Sequence, residues 1–215
     1  MNNRKIINQI TEYILISIFV YIIINHFSLS FNFDNLIRSA FIGVILELIW
    51  NYTFEKVLWR NSIIRLIFNI KTPVIHGRWE GYVESSFDNF KKKFPVVLEI
   101  FQTYSTLKIT YYDKRAVSHT IASRLIIEEG KPSQLLCIYR NEPYEVRGER
   151  DSTLRTHYGV MILTLLGNRK LMGIYFNKPV ERSTYGKIYL EFSSRNLKRA
   201  FNGDSYVKEY TKHRK

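Results

Sequence analysis

The chain has 215 residues, a formal net charge of +13, 46% hydrophobic residues and a single cysteine. One cysteine excludes an intrachain disulfide and any multi-cysteine metal site, and it fits a reducing compartment. The basic surplus points to an anionic partner (nucleotide phosphate, nucleic acid or acidic lipid headgroups) or to a solubilised surface beside an anionic leaflet.

The first 70 or so residues differ in composition from the rest. Ile10 to Phe27 reads ITEYILISIFVYIIINHF, and at ~1.5 Å per residue it reaches about 27 Å, close to a hydrocarbon core. No small-x-small cleavage site follows, because Asn25, His26 and Phe27 stand where a signal peptide would need one. A second apolar segment runs from Leu36 to about Trp59, with Arg38 at its start and Glu47 near its middle. A carboxyl at mid-depth costs about 2.5–3.5 kcal/mol on insertion scales, so Glu47 is expected to face protein or water. It would lie at a helix–helix or protomer–protomer interface, or sit neutral within the hairpin. Arg4 and Lys5 precede the first segment, Arg60, Arg65 and Lys71 follow the second, and Ser28 to Asn35 carries no Lys or Arg. The positive-inside rule then predicts a hairpin of two transmembrane helices with both termini in the cytoplasm. Val57 to Ile70 keeps apolar residues at helical spacing and predicts an interfacial helical extension that Pro73 stops.

Domain boundaries are expected at 1–72 for the membrane segment and 73–215 for a soluble domain. The latter includes 26 of the Lys/Arg residues but only 15 of the Asp/Glu, counted from Lys71 onward. β-branched and aromatic runs separated by turn residues predict eight strands: Arg78–Ser85, Pro95–Gln102, Ser105–Tyr112, Ala116–Ile127, Gln134–Arg140, Tyr158–Leu166, Leu171–Asn177 and Lys187–Ser193. The long Ala116–Ile127 run is expected to bend or bulge. Hairpin-length connections imply an antiparallel sandwich or a closed up-and-down barrel. Val96, Leu98 and Ile100 share a core face, as do Ile188, Leu190 and Phe192. In Leu171–Asn177 two faces compete, Ile174 and Phe176 against Gly173, Tyr175 and Asn177. The tail from Asn196 is expected to hold a short helix, because Leu197, Ala200 and Phe201 have helical spacing.

No Walker-type loop, GxSxG elbow, HExxH or CxxC occurs, and the five histidines are scattered at 26, 76, 119, 157 and 213. Neither an enzyme nor a bound metal is therefore expected. Gly77-Arg-Trp79-Glu-Gly81-Tyr82 opens the domain. Trp79 is either a plug that closes a barrel floor or a stacking platform for a base. A second cluster comprises Arg155-Thr-His157-Tyr158-Gly159, Gly173-Ile-Tyr175-Phe-Asn177 and Arg182-Ser-Thr184-Tyr-Gly186-Lys-Ile188. It supplies the cationic donors a phosphodiester needs, with the π-face and hydrogen-bonding groups a base needs. The same residues could simply coat an exposed sheet face.

Two N-terminal membrane segments, GRWEGYV, RTHYGVMILTLLG and GIYFNKPVERSTYGKIYLEF together resemble the two-transmembrane β-barrel effectors of bacterial CBASS antiphage systems. The likeness covers nearly the whole chain and implies a membrane-anchored all-β protein, a transmembrane hairpin carrying a roughly eight-stranded antiparallel up-and-down barrel. It implies a bacterial inner-membrane receptor for a cyclic dinucleotide made by a partner nucleotidyltransferase, with no cofactor. Ligand would drive homo-oligomerisation, and the membrane helices would then disrupt inner-membrane lipid. The family's Gly-x-Tyr-x-Asn/Thr element matches Gly173, Tyr175 and Asn177; its Arg…Thr-x-Gly element matches Arg182, Thr184 and Gly186, with Lys178-Pro-Val-Glu inserted between the two. On this likeness Tyr175 and Trp79 would stack on bases, Asn177 and Thr184 would read base edges or ribose, and Arg155 and Arg182 would pair with phosphates. The alternatives are a membrane-anchored lipocalin-like carrier of an apolar small molecule, whose lumen would be lined by Ile, Leu and Phe, and a module whose basic face binds anionic lipid.

Overall fold

The computed structural model describes residues 18–23, 33–143, 156–177 and 183–201, and the chain divides into two compact units, residues 1–68 and 69–215. In the first unit residues 18–23 are helical. A long helix spans Phe33–Lys56 and starts with Asp34 in its first turn, where a carboxylate complements the helix dipole. Its stretch Ile37–Lys56 is, among the described residues, the one helix long and apolar enough to cross a membrane. The expected two-helix hairpin is therefore not established. The rest of the first expected segment and most of the connecting loop lie outside the described residues.

The long helix is polar where it is buried and apolar where it is exposed. Ser39, Gly43 and Glu47, each four residues apart, are buried. Phe41, Ile45, Leu48, Ile49 and Tyr52 are exposed. Glu47 accepts a hydrogen bond from Asn51 Nδ2 one turn on, at 2.7 Å. The helical extension is not continuous: a 3-10 turn, Leu58–Arg60, and a short helix, Ser62–Ile67, are separated at Asn61. Asn61 breaks the run because its side chain caps the short helix, accepting from the N–H of Ile63 at 2.9 Å.

In the second unit eight antiparallel strands close into an up-and-down barrel in sequence order. They are β1 Gly77–Ser85, β2 Lys93–Gln102, β3 Leu107–Tyr112, β4 Ala116–Ile126, β5 Gln134–Pro143, β6 His157–Leu166, β7 Lys170–Asn177 and β8 Thr184–Ser194. β1 pairs with β8 and closes the barrel, setting Trp79 opposite Phe192 and Val83 opposite Ile188. β4 carries the expected irregularity, a register shift between Thr120 and Ala122. Past it, backbone pairing with β3 gives way to side chains: Thr120 Oγ1 accepts from Ile109 N at 2.7 Å, and Ser123 Oγ donates to Leu107 O at 2.6 Å.

The period-2 alternation sends Val96, Leu98, Ile100, Leu135, Cys137, Met161, Leu163, Leu171, Ile188 and Leu190 into one core. That core fills the barrel from the end at which the chain enters and reaches Val83, Met161 and Tyr139 toward the other end. At the entry end Gln102 ties the incoming segment down, accepting from the N–H of Ile75 at 2.8 Å and donating to Pro73 O at 2.9 Å. Trp79 donates its indole N–H to Ile75 O at 3.0 Å and packs edge-on against Phe192 at 5.3 Å. The expected tail helix is absent from 195–201. Instead Glu99 on the outer wall accepts from the N–H of Lys198 and Arg199, which bends the segment back over the strands.

Candidate functional site

The opposite end of the barrel differs in chemistry. It is built from the last residues of β1, β3, β5 and β7, the first of β4, β6 and β8, and the 3-10 turn Ser86–Asp88. The two faces of β7 resolve here. Ile174 and Phe176 point outward and are exposed, while Tyr175 packs against the interior core. Gly173, Tyr175 and Asn177 thus share the inner face.

Tyr139, Asn177 and Thr184 form one hydrogen-bonded chain. Tyr139 Oη donates to Asn177 Oδ1 at 2.8 Å, and Asn177 Nδ2 donates to Thr184 Oγ1 at 3.1 Å. Asn177 and Thr184 meet because they are directly opposite in the β7–β8 register. The same register sets Tyr175 against Gly186, and the missing side chain there leaves room for the ring: a Cβ on Gly186 would lie 2.6 Å from Tyr175 Cε1. Gly159 does the same for Tyr139, whose Cζ would be 2.5 Å from an added Cβ. A buried pair, Asn141 Nδ2 to Ser118 Oγ at 2.9 Å, extends the polar lining to β4 and β5.

Acidic groups flank this lining. Asp113, in the β3–β4 turn, accepts from the N–H of Arg115 at 2.7 Å and of Ala116 at 2.8 Å. Burial nevertheless raises its carboxyl above the ordinary range, and those two hydrogen bonds only oppose the shift. Burial likewise raises the phenols of Tyr111, Tyr139 and Tyr175. For Tyr175 a hydrogen bond with Ser85 acts the other way, and the charges of Asp88 and Asp113 raise it further. These phenols stay neutral at physiological pH and present donors as well as acceptors. Among the described residues no group of three or more His, Cys, Asp or Glu could hold a metal ion.

Of the residues singled out from the sequence, Tyr175, Asn177 and Thr184 come together at this end. Trp79 lies at the opposite end, in the packed floor. Arg155 and Arg182 lie outside the described residues. Tyr111, Tyr139, Asp88 and Asp113 were not singled out. Tyr139 follows Leu135 and Cys137 at period two, the spacing of a core position; the signal that could have found it was Asn141 two residues further on the same face.

A family model described as "Cap15, cyclic dinucleotide receptor domain" matches residues 70–191. The chain is also similar to "CD-NTase-associated protein 15" of Yersinia aleksiciae, 32% identical over 136 residues, which is 62% of this chain and 61% of that relative.

Proposed function

This chain belongs to the Cap15 cyclic dinucleotide receptor family, and from that membership we propose that it is a non-enzymatic receptor and effector of antiphage defence. A cyclic dinucleotide enters the polar end of the barrel. Tyr175 and Tyr139 offer ring faces and hydroxyls, Asn177 and Thr184 offer hydrogen bonds to base or ribose, and Arg155 and Arg182 pair with the phosphates. The observation that carries this reading is the split interior. One end is close-packed with apolar side chains, while the other joins a tyrosine, an asparagine and a threonine in one chain of hydrogen bonds. An apolar carrier would need an open lumen where this barrel has its packed core.

Ligand would bias the protein toward self-association, which requires tighter binding to the assembled state than to the free one. Assembly would bring several membrane segments together and disrupt the inner membrane. The inverted polarity of the long helix supports a membrane location: lipid accepts its exposed apolar residues, and the buried carboxyl stays off the lipid. The topology in this reading is multi-pass, with both termini and the barrel cytoplasmic. The activating ligand would come from a nucleotidyltransferase without direct contact.

Full-length protein in detergent, tested against a panel of purine and pyrimidine cyclic dinucleotides, should gain thermal stability with at least one. At 100 times Kd, binding adds about 2.7 kcal/mol, roughly 5–10 °C for a domain of this size. No shift across the whole panel would overturn the proposal.

A further inference from the structure

The outer wall of the barrel carries an apolar area that the core does not use. A strand with one face in solvent ordinarily alternates apolar with polar side chains. β6 and β7 are apolar on both faces: Met161 and Leu163 fill the core, while Val160 and Ile162 stand on the outer face beside Ile174 and Phe176. The register sets these residues in two rows across the wall. Ile138, Val160, Phe176 and Tyr185 are successive neighbours in one row, and Leu136, Ile162 and Ile174 in the other. Phe90 extends the first row, with its ring 5.7 Å from that of Tyr185. It does so from a left-handed backbone, φ 61°, which is costly for a side chain of this size. Ile138 is 40% exposed, Phe176 42%, Ile174 50% and Tyr185 57%. With a half-exposed aromatic residue presenting on the order of 100 Å², the two rows bare roughly 500 Å², and contiguous apolar areas of that size mark protein or membrane contacts.

The charges around the rows decide what covers them. The second row runs from Arg124, opposite Leu136, to Lys187, opposite Ile174. Arg140 borders the first row beside Tyr158 and is paired with Glu142 at 3.2 Å. Two copies stacked along these rows would set basic ends against basic ends. Barrel closure leaves no free strand edge to which a peptide could add, and a convex wall offers no groove. An apolar, tyrosine-bearing face with a basic rim instead matches a lipid surface. Its rings and aliphatic chains enter the interface, and its cations meet acidic headgroups. The chain keeps such a surface at hand, because Ile37–Lys56 is long and apolar enough to cross a membrane. Resting on the membrane location proposed above, we propose that the β5–β8 wall docks on the anionic leaflet and lays the barrel on its side.

The test uses full-length protein in vesicles of phosphatidylethanolamine and phosphatidylglycerol with brominated acyl chains. Bimane is attached at Ile174→Cys or, on the opposite wall, at Lys108→Cys; Cys137 is buried and stays unlabelled. Bromine should quench the label at 174 about threefold more than the label at 108, and aqueous iodide should do the reverse. The contrast should fall in phosphatidylcholine vesicles. It should also fall in Arg124→Gln with Lys187→Gln, since each lost cation weakens attraction to an anionic leaflet about fivefold. Both side chains are exposed, so this variant should keep the Tm of wild type in detergent. Equal quenching at 174 and 108, in protein that alkaline extraction leaves in the vesicles, overturns the docking and leaves the membrane location intact. Release of the protein by that extraction overturns both. Shielding of position 174 from both quenchers overturns the lipid assignment: a second copy covers the wall if dilution in lipid removes the shielding, and another part of the chain covers it otherwise. A contrast unaltered in phosphatidylcholine and in the double variant overturns the assignment to an acidic surface.

Discussion

Cys137 sits inside the barrel beside Thr120, with Sγ 3.8 Å from Oγ1. Burial pushes its thiol from 9.0 up to about 11. The folded state then holds its proton at pH values where the unfolded chain has lost it, so stability is full below pH 9 and falls as pH rises toward 11. The loss is roughly 3 kcal/mol at the upper end. The buried phenols add to the fall over the same range, because free tyrosine begins to ionise near pH 9 and is half ionised at about pH 10. Between pH 9 and 10, urea denaturation should show stability declining more steeply for wild type than for Cys137→Ala, which keeps only the decline from the buried phenols. Equal slopes would mean that the thiol is not sealed from water. At this scale the site was partly legible. Asn177 and Thr184 carry polar groups on strands that otherwise alternate apolar residues, and that contrast is visible in one dimension. Asp88 was not legible, because a carboxylate in a turn normally faces water; only the fold encloses it.

The strands themselves follow from alternation, and their ends fall within a few residues of the expected ones. The tail does not follow local pattern. Arg78 on the outer wall of β1 is fully buried, 2.8 Å from Glu99 and 2.5 Å from Glu80, and donates to Ala200 O at 2.8 Å. Glu99 in turn holds the N–H groups of Lys198 and Arg199. Over residues 195–201 helical spacing therefore loses to a buried carboxylate that takes the same N–H groups a helix would use, and the rest of the tail lies outside the described residues. Removing one member leaves the other charges buried and unpaired, which typically costs about 3–5 kcal/mol. Arg78→Met should lower stability by that order in chemical denaturation. It should also expose Lys198 and Arg199 to trypsin at concentrations that spare the wild-type chain. A variant as stable and as resistant as wild type would show that the tail is held by other contacts.

For the whole molecule, the proposed function asks the N-terminal unit to do more than tether. Glu47 is buried, with Asn51 bonded to it, on the stripe shared by Ser39 and Gly43. An inert anchor has no need of a carboxyl at mid-span. Glu47→Leu should reduce ligand-dependent cross-linking between protomers in vesicles and the dye leakage that accompanies it, whereas Glu47→Gln, which keeps the hydrogen-bonding shape, should retain most of both. Unchanged cross-linking and leakage in Glu47→Leu would remove the stripe from the assembly mechanism.

The sequence by itself determined what depends on local periodicity and composition. Apolar runs of helical length marked the N-terminal unit, period-two runs marked all eight strands, and one cysteine with scattered histidines argued against a disulfide and a metal. Periodicity left open whether those strands make a sandwich or a barrel, and only the family resemblance implied the barrel. Closure was decided by the pairing of β1 with β8, a contact between residues more than a hundred positions apart. The same closure decided which face of β7 is inner, put Trp79 in the floor away from Tyr175, and enclosed Asp88. All of these depend on burial at a particular end of the barrel. Spacing marks which face of a strand is buried, but which end of the barrel a residue reaches is a property of the closed surface and has no signature along the chain.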